Sequence, residues 1–126
     1  MRRPGSLAEV ASHTASARDF GMAIAEFLDQ FGIEKSERML ATEPPLTCEA
    51  LRDEGVGDAY LAAVAVELSR SIAASPPAWS YAQRRFLRSP WFADTGPALR
   101  ATLLLESPAG FRERNLFVSE NALSRA

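Results

Sequence analysis

The sequence predicts an all-α fold: a single compact domain over residues 1–126 that contains five or six helices. Alanine supplies 22 of the 126 residues, whereas Val, Ile and Thr together supply only 13. Helices favour Ala, Leu, Arg and Glu, and strands favour β-branched and aromatic residues. Because a domain typically takes about 100–200 residues, the chain has room for one domain and not for two.

The first predicted helical segment covers residues 6–31, after a loose end at residues 1–5. Ser6 and Glu9 have the spacing of a capping box, in which the hydroxyl accepts one amide and the carboxylate returns to the cap amide. Poor helix formers in the middle of the segment leave two interpretations open, one long helix or two shorter helices. Gly32 is the predicted stop. The second half has one wide apolar face, formed by Phe20, Ile24, Phe27, Leu28 and Phe31.

The middle of the chain carries the strongest helix signal. Two consecutive prolines separate two short helical stretches, residues 33–41 and 46–54. Asp58 is then placed to cap a helix over residues 58–74, which we expect to be the central helix of the core. Its predicted buried stripe consists of Leu61, Val64, Ala65, Leu68 and Ile72.

The C-terminal third predicts two more helices and one extended piece. Pro97, after Gly96, opens a helix at the position that proline favours. Ser107 and Pro108 precede a further short helix, and Asn115 is the predicted stop because asparagine tolerates the left-handed conformation. Leu116–Val118 is the short extended segment near the C-terminus. The first of these helices carries Leu99, Leu103, Leu104 and Leu105.

The most unusual composition lies in residues 79–92, where five of the eleven aromatic residues are interspersed with arginines. Three interpretations fit this segment: a lid on the core with arginine stems over aromatic rings, a protein-binding surface, or a platform for single-stranded nucleic acid. With two arginines from the C-terminal third, the candidate partner-binding residues are Trp79, Arg84, Arg85, Arg88, Trp91, Phe92, Arg112 and Arg114.

Charge is unevenly distributed along the chain. Residues 1–75 carry 7 basic and 12 acidic side chains, and residues 76–126 carry 7 basic and 4 acidic ones. The basic half can pair with the acidic half of the same chain or with an acidic partner. The same two interpretations apply to Arg112 and Arg114, which either are free for a partner's carboxylates or a phosphate, or pair internally.

The sequence offers little for catalysis. Cys48 is the only cysteine and His13 the only histidine, so neither a cluster of thiolate and imidazole metal ligands nor a nucleophile–base pair is expected. The Gly55–Gly57 turn lacks the lysine and the further glycine of a phosphate-binding loop. We therefore expect no catalytic residues, no metal and no cofactor, and a protein that is not an enzyme.

A helix-turn-helix can be drawn from residues 46–54, 55–57 and 58–74, which makes a small DNA-binding transcriptional regulator the alternative function. Its second helix begins with Asp58, Ala59 and Ala62 instead of the side chains that reach base edges. Nucleic-acid binding is therefore not the favoured interpretation.

No membrane association is expected. The longest uncharged apolar run has eight residues, whereas a spanning helix needs about 20. The N-terminus has no apolar region of the kind found in secretory signals. A cytoplasmic protein is the expectation that follows.

Several stretches of the chain resemble a family of small bacterial proteins that are encoded beside predicted nucleotidyltransferase toxins. The longest matching stretch is residues 106–125, and the similarity extends over nearly the whole chain from about residue 7. The shorter matching stretches are Arg18–Gly21, Ala41–Leu46, Asp58–Ala63, Pro77–Trp79, Ser89–Phe92 and Leu99–Ala101.

The resemblance implies a role as antitoxin or accessory partner in a toxin–antitoxin system. It carries no catalytic or binding residue onto this sequence, because the family has no motif assigned to such a site. Taken with the missing catalytic groups, it predicts a non-catalytic interaction protein that binds a nucleotidyltransferase-like enzyme.

Overall fold

The computed structural model describes residues 3–93 and 96–123, and within them it confirms the all-α prediction. The helices are α1 (Leu7–Ser12), α2 (Ala17–Glu34), α3 (Arg38–Ala41), α4 (Cys48–Leu51), α5 (Val56–Ser71), α6 (Pro97–Glu106) and α7 (Ala109–Arg112). Two 3-10 turns, Ala78–Tyr81 and Gln83–Arg85, and two strands, β1 (Trp91–Phe92) and β2 (Leu116–Phe117), complete the elements. The described helices number seven, above the predicted five or six, and three of them have only four residues each.

The first helical segment consists of two helices, each begun by a serine cap. The Ser6 hydroxyl accepts the amide of Glu9 at 3.1 Å, as the capping box predicts. The Glu9 carboxylate accepts the amide of Gly5 at 3.3 Å, one residue before the cap. Ser16 caps α2 in the same way, so α1 ends at Ser12 and a second helix begins at Ala17.

The predicted loose end is wrong for the last residues before α1. Pro4 is buried, and the amide of Gly5 is bonded to the Glu9 side chain. Residues 1 and 2 lie outside the described residues. The start of the chain is therefore held against the core from Pro4 onwards.

The end of α2 also differs from the prediction. The helix continues through Gly32 to Glu34. Lys35 takes the left-handed conformation, with φ of 46°, and its amide donates to the Phe31 carbonyl at 2.8 Å. Gly32 remains helical because a residue three positions later closes the last turn.

Helix α5 is the centre of the core, as predicted. Eleven of its 16 residues are buried, and it contacts α4, α7, both 3-10 turns and β2. Leu61, Val64 and Leu68 belong to the buried stripe, whereas Ile72 is half-buried just beyond the helix end. The alanines between them let the surrounding elements approach the helix closely.

Helix α7 packs on α5 through a glycine. A Cβ atom on Gly110 would lie 2.7 Å from the Glu67 carboxylate and 3.2 Å from Val66. The Gly110 amide also donates to that carboxylate at 2.9 Å. A side chain at this position would displace the Glu67 carboxylate from its hydrogen bond and crowd Val66.

Helix α6 begins at Pro97, as predicted, but most of its leucines face outwards. Leu103 is buried, whereas the Leu105 residue is 84% exposed. After α6, the Ser107 hydroxyl accepts the Val118 amide at 2.8 Å and ties the helix end to the segment that follows β2. Helix α6 has little contact with the rest of the fold, because only one of its sides packs against the core.

The predicted extended segment is the second strand of a parallel pair. Trp91 pairs with Leu116 and Phe92 with Phe117, so β1 and β2 have two residues each. Helix α7 ends at Arg112, before the predicted stop at Asn115, which takes the left-handed conformation, with φ of 62°, directly before β2. This short sheet fixes the position of Trp91.

We expect Leu68→Ala to lower the free energy of unfolding by about 2–5 kcal/mol, because it removes a buried side chain from the central helix. Leu105→Ala, on the outer side of α6, should change it by no more than about 0.5 kcal/mol. Urea denaturation measures both values. Equal effects for the two variants would contradict the central position of α5.

Candidate protein-binding surface

Arg85 is inside the protein, so its assignment to a partner surface is wrong. Its side chain is 0% exposed. Nη2 donates to the Pro44 carbonyl at 2.6 Å and to the Glu43 carboxylate at 3.1 Å. Nη1 donates to the Asp58 carbonyl at 3.3 Å, and the guanidinium lies 5.0 Å from the centre of the Trp79 ring. The arginine therefore joins the loop after α3 to the first turn of α5.

Asp58 has a different role from the predicted helix cap. Gly55, with φ of 92°, occupies the cap position, and Asp58 lies inside the first turn of α5. Its carboxylate accepts the amide of Thr47 at 2.6 Å and the hydroxyl of Thr47 at 2.9 Å. The same oxygen lies 3.7 Å from Arg85, so the buried carboxylate is paired with a buried cation.

Arg114 is also inside the protein, and the expectation that it is free for a partner is wrong. Its side chain is 0% exposed. Nη2 donates to the Ser80 carbonyl at 2.6 Å, and Nη1 donates to the Glu113 carboxylate at 2.6 Å. The guanidinium lies over the rings of Tyr81 and Phe86, at 5.1 and 4.5 Å from their centres. Arg114 therefore holds the 3-10 turns against the end of α7.

Trp79 and Phe92 are partly buried by contacts within the chain. The Trp79 indole nitrogen donates to the Leu40 carbonyl at 3.0 Å. The Phe92 ring stacks on Phe117 with ring centres 5.0 Å apart. Both aromatic side chains thus serve the fold, as the interpretation of the segment as a core lid predicted.

Arg84 and Arg112 are exposed and also bonded within the chain. The Arg84 guanidinium lies 2.5 Å from the Glu43 carboxylate, and Arg112 donates to the Ser107 carbonyl at 2.8 Å. The pairing of Arg84 and Arg85 with Glu43 joins the basic half of the chain to the acidic half. For Arg84 and Arg85, the basic half of the chain therefore pairs with the acidic half of the same chain.

Trp91 and Arg88 are the predicted residues that remain available at the surface. The Trp91 residue is 36% exposed, and Arg88 is exposed with no ion pair among the described residues. Trp91 stands at the edge of an open groove of about 610 Å³. This volume lies in the usual range of about 300–1,000 Å³ for binding pockets.

The groove lies between α2 and α5. One wall is a single side of α2, formed by Ala17, Phe20, Gly21, Ile24, Ala25 and Leu28. The other parts of the groove come from α4, α5, β1 and the segment after β2, and include Leu51, Val56, Tyr60, Trp91 and Ala122. The groove is therefore lined almost entirely by apolar side chains.

Small residues keep the α2 wall of the groove low. Ala17, Gly21 and Ala25 recur every four residues, so they lie on one side of the helix. A Cβ atom on Gly21 would have no other atom within 4 Å, so the space above it is open. The four-residue spacing of these small residues is visible in the sequence, next to the apolar face of α2. The sequence does not show, however, that no other element covers this side of the helix.

Tyr60 forms part of the groove and anchors it to the core. Its ring packs edge-on against Phe20, with centres 5.9 Å apart, and against Phe111, with centres 5.0 Å apart. Burial raises the pKa of the Tyr60 phenol, because the charged form loses its hydration. The side chain therefore stays neutral at physiological pH.

Two more concavities continue the groove beyond Trp91. One of about 420 Å³ shares Asp53, Val56 and Trp91 with the groove. The other, of about 640 Å³, shares Leu87 and Arg88 with the concavity of about 420 Å³. We call this continuous surface, from α2 across Trp91 to Arg88, the Trp91 face.

The described residues contain no group of three or more His, Cys, Asp or Glu side chains placed to hold a metal ion. His13 is exposed at the end of α1, and Cys48 begins α4. Asp53, the carboxylate in the groove, accepts the amides of Gly55 and Gly57. Among the described helices, none has both the length and the apolar character that a membrane span requires.

The helix-turn-helix drawn from the sequence has no open recognition helix. Its second helix, α5, buries most of its residues, including Asp58 and Ala59 in the first turn. A recognition helix must place the side chains of its first turns against base edges. Helix α5 cannot do so without leaving the core.

Arg114→Ala should lower the free energy of unfolding by about 3–5 kcal/mol, because it leaves buried hydrogen-bond acceptors and a carboxylate without their cation. Arg112→Ala removes one hydrogen bond at the surface and should cost no more than about 1 kcal/mol. Urea denaturation of the two single variants separates them. A stability loss for Arg114→Ala as small as that for Arg112→Ala would contradict its structural role.

Glu43 should contribute to the pH dependence of stability. A hydrogen bond from Arg84, the largest influence, and the Arg85 guanidinium hold the pKa of the Glu43 carboxyl below its usual value, against the effect of partial burial. A lowered pKa in the folded state adds stability above the unfolded value of about 4.3, and that stability is lost as the pH falls through the folded value.

We therefore expect Glu43→Gln to be less stable than the wild type at neutral pH, with a difference that shrinks below about pH 4. Urea denaturation between about pH 3 and pH 7 measures this change, with Glu49→Gln on the exposed side of α4 as the control. A difference that stays constant over the whole range would contradict the assignment.

Comparison of the chain with protein families, with curated proteins and with solved structures finds no match.

Proposed function

We propose that this chain is a non-catalytic interaction protein that binds a partner protein through the Trp91 face. The main support for this proposal is the exposed Trp91 indole beside an open apolar groove of about 610 Å³. Tryptophan and arginine are the residues that most often anchor protein interfaces, and they do so at the edge of apolar pockets. Trp91 and Arg88 lie together on this face.

The internal contacts of the other candidate residues sharpen the proposal. Arg85 and Arg114 are buried and donate to backbone carbonyls within the chain, and the Trp79 indole also donates to a backbone carbonyl. The Trp91 side chain, by contrast, has no hydrogen bond and no ring contact among the described residues. Its indole N–H therefore remains able to donate a hydrogen bond to a partner, while its ring offers apolar surface.

The resemblance suggests the identity of the partner. It points to a nucleotidyltransferase-like enzyme of the kind encoded beside members of that family, which the chain would bind and restrain as an antitoxin or accessory subunit in the cytoplasm. The proposal needs no catalytic group on this chain, since restraint follows from binding alone.

The test compares two glycines of α2 that differ in place. A Cβ atom on Gly21 or on Gly32 would meet no other atom within 4 Å, but Gly21 lines the groove and Gly32 does not. Gly21→Leu fills the groove, and Gly32→Leu is the matched control. Both changes should raise α2 stability by up to about 1 kcal/mol, because glycine is a poor helix former.

Each variant is co-expressed with the product of the adjacent gene, and the complex is measured by size-exclusion chromatography and calorimetric titration. We expect Gly21→Leu to weaken binding at least tenfold, about 1.4 kcal/mol, with an unchanged or higher melting temperature. Gly32→Leu should bind like the wild type. Full affinity in Gly21→Leu would exclude the Trp91 face, and the absence of any complex with the wild type would exclude this partner.

A further inference from the structure

We infer that the partner segment on the Trp91 face is an amphipathic helix, with apolar side chains in the α2–α5 groove and acidic residues at the end that meets Arg88. The inference rests on the proposed function, because it names the part of the partner that occupies the same face. Three properties of the face carry it: the lining of the groove, its length along α2, and the change of charge along the surface.

The groove selects apolar side chains. Its ionisable groups are Asp53 and Tyr60. Both oxygens of Asp53 already accept backbone amides, from Gly55 at 3.0 Å and from Gly57 at 2.7 Å. Apart from Asp53, the groove lining holds no charged group, so a charged side chain along most of the groove would lose its hydration without gaining an opposite charge.

The dimensions of the groove fit a helix. Its α2 wall runs from Ala17 to Leu28, which at 1.5 Å per residue is about 16 Å, or three helical turns. Small residues at Ala17, Gly21 and Ala25 allow a second helix axis to approach to the usual 8–10 Å. A partner helix would then insert residues at positions i, i+4 and i+7. An added strand is less suitable, because β1 offers only two residues for pairing.

The far end of the face is basic. The concavity beyond Trp91 is lined by Gln83, Arg84, Phe86, Leu87 and Arg88, with two guanidinium groups and no carboxylate. Arg84 is paired with Glu43 from the side, whereas Arg88 has no ion pair within the described chain. Glu54 and Asp53 border the middle of the face, so the basic character is confined to its end. Charge complementarity therefore places the partner's carboxylates beside Arg88.

The test is a selection of random 16-residue peptides displayed on phage against the full chain, with Gly21→Leu as the counter-selection target. We expect the enriched peptides to have apolar residues at i, i+4 and i+7, followed by Asp or Glu at one end. An enriched peptide is then synthesised and titrated by calorimetry. Its affinity should fall at least tenfold with Gly21→Leu and threefold to tenfold with Arg88→Gln.

Arg38→Gln, which changes an exposed arginine on α3 outside the face, is the charge control and should bind like the wild type. Raising the salt concentration should weaken binding to the wild type more than binding to Arg88→Gln, because the contact is between exposed charges. Peptides without a helical repeat would overturn the helix. Peptides without acidic residues, or with equal affinity for Arg88→Gln, would overturn the charged contact, and no enrichment over Gly21→Leu would overturn both.

The outcome is separate from that of the proposed function. A complex with the adjacent gene's product that depends on Gly21, together with peptides that ignore Arg88, would overturn this inference and leave the proposed function in place. Peptides with the expected pattern, without any such complex, would support the inference about the face and exclude the proposed partner.

Discussion

The buried ion pair between Arg85 and Asp58 joins parts of the chain that are far apart in the sequence. Asp58 binds Thr47 from the first turn of α5, and Arg85 binds the carbonyl of Pro44. Neither charge is stable out of water unless the other partners are in place. The loop after α3, the 3-10 turns and α5 therefore depend on one another. Val56, which lines the Trp91 face, lies two residues from Asp58 and is positioned by this pair.

Arg114 plays the corresponding role for the other side of the face. The Leu87 amide donates to the Arg114 carbonyl, and the Asn115 side chain donates to the Leu87 carbonyl at 2.9 Å. The Trp91 amide donates to the Asn115 carbonyl at 2.8 Å. The segment that carries Arg88 and Trp91 is thus held to the residues around Arg114 by backbone hydrogen bonds. Because these backbone hydrogen bonds hold the segment in place without contacts from the Arg88 and Trp91 side chains, these two side chains can remain exposed.

The interior uses arginine for a geometric reason. Each buried guanidinium donates to backbone carbonyls and also lies over an aromatic ring, Trp79 for Arg85 and Phe86 for Arg114. Lysine has no such planar group and could not meet these contacts together. The Nε atoms of both arginines have no hydrogen-bond partner among the described residues, which is a cost of this arrangement. Arginine content alone therefore says little about the charge of the binding surface.

Local patterns in the sequence determined most of the helical framework. The apolar repeat of α2, the alanine-rich α5, and the helix start at Pro97 act within a few residues, so composition and spacing are sufficient to predict them. The tertiary structure decided which charged residues are buried and which flank of α2 is left open as a groove. The partner of Arg85 lies 27 residues away at Asp58, and no local pattern encodes a contact at that distance. Periodicity shows that one side of a helix is apolar, but only the packed fold shows how much of that side another element covers.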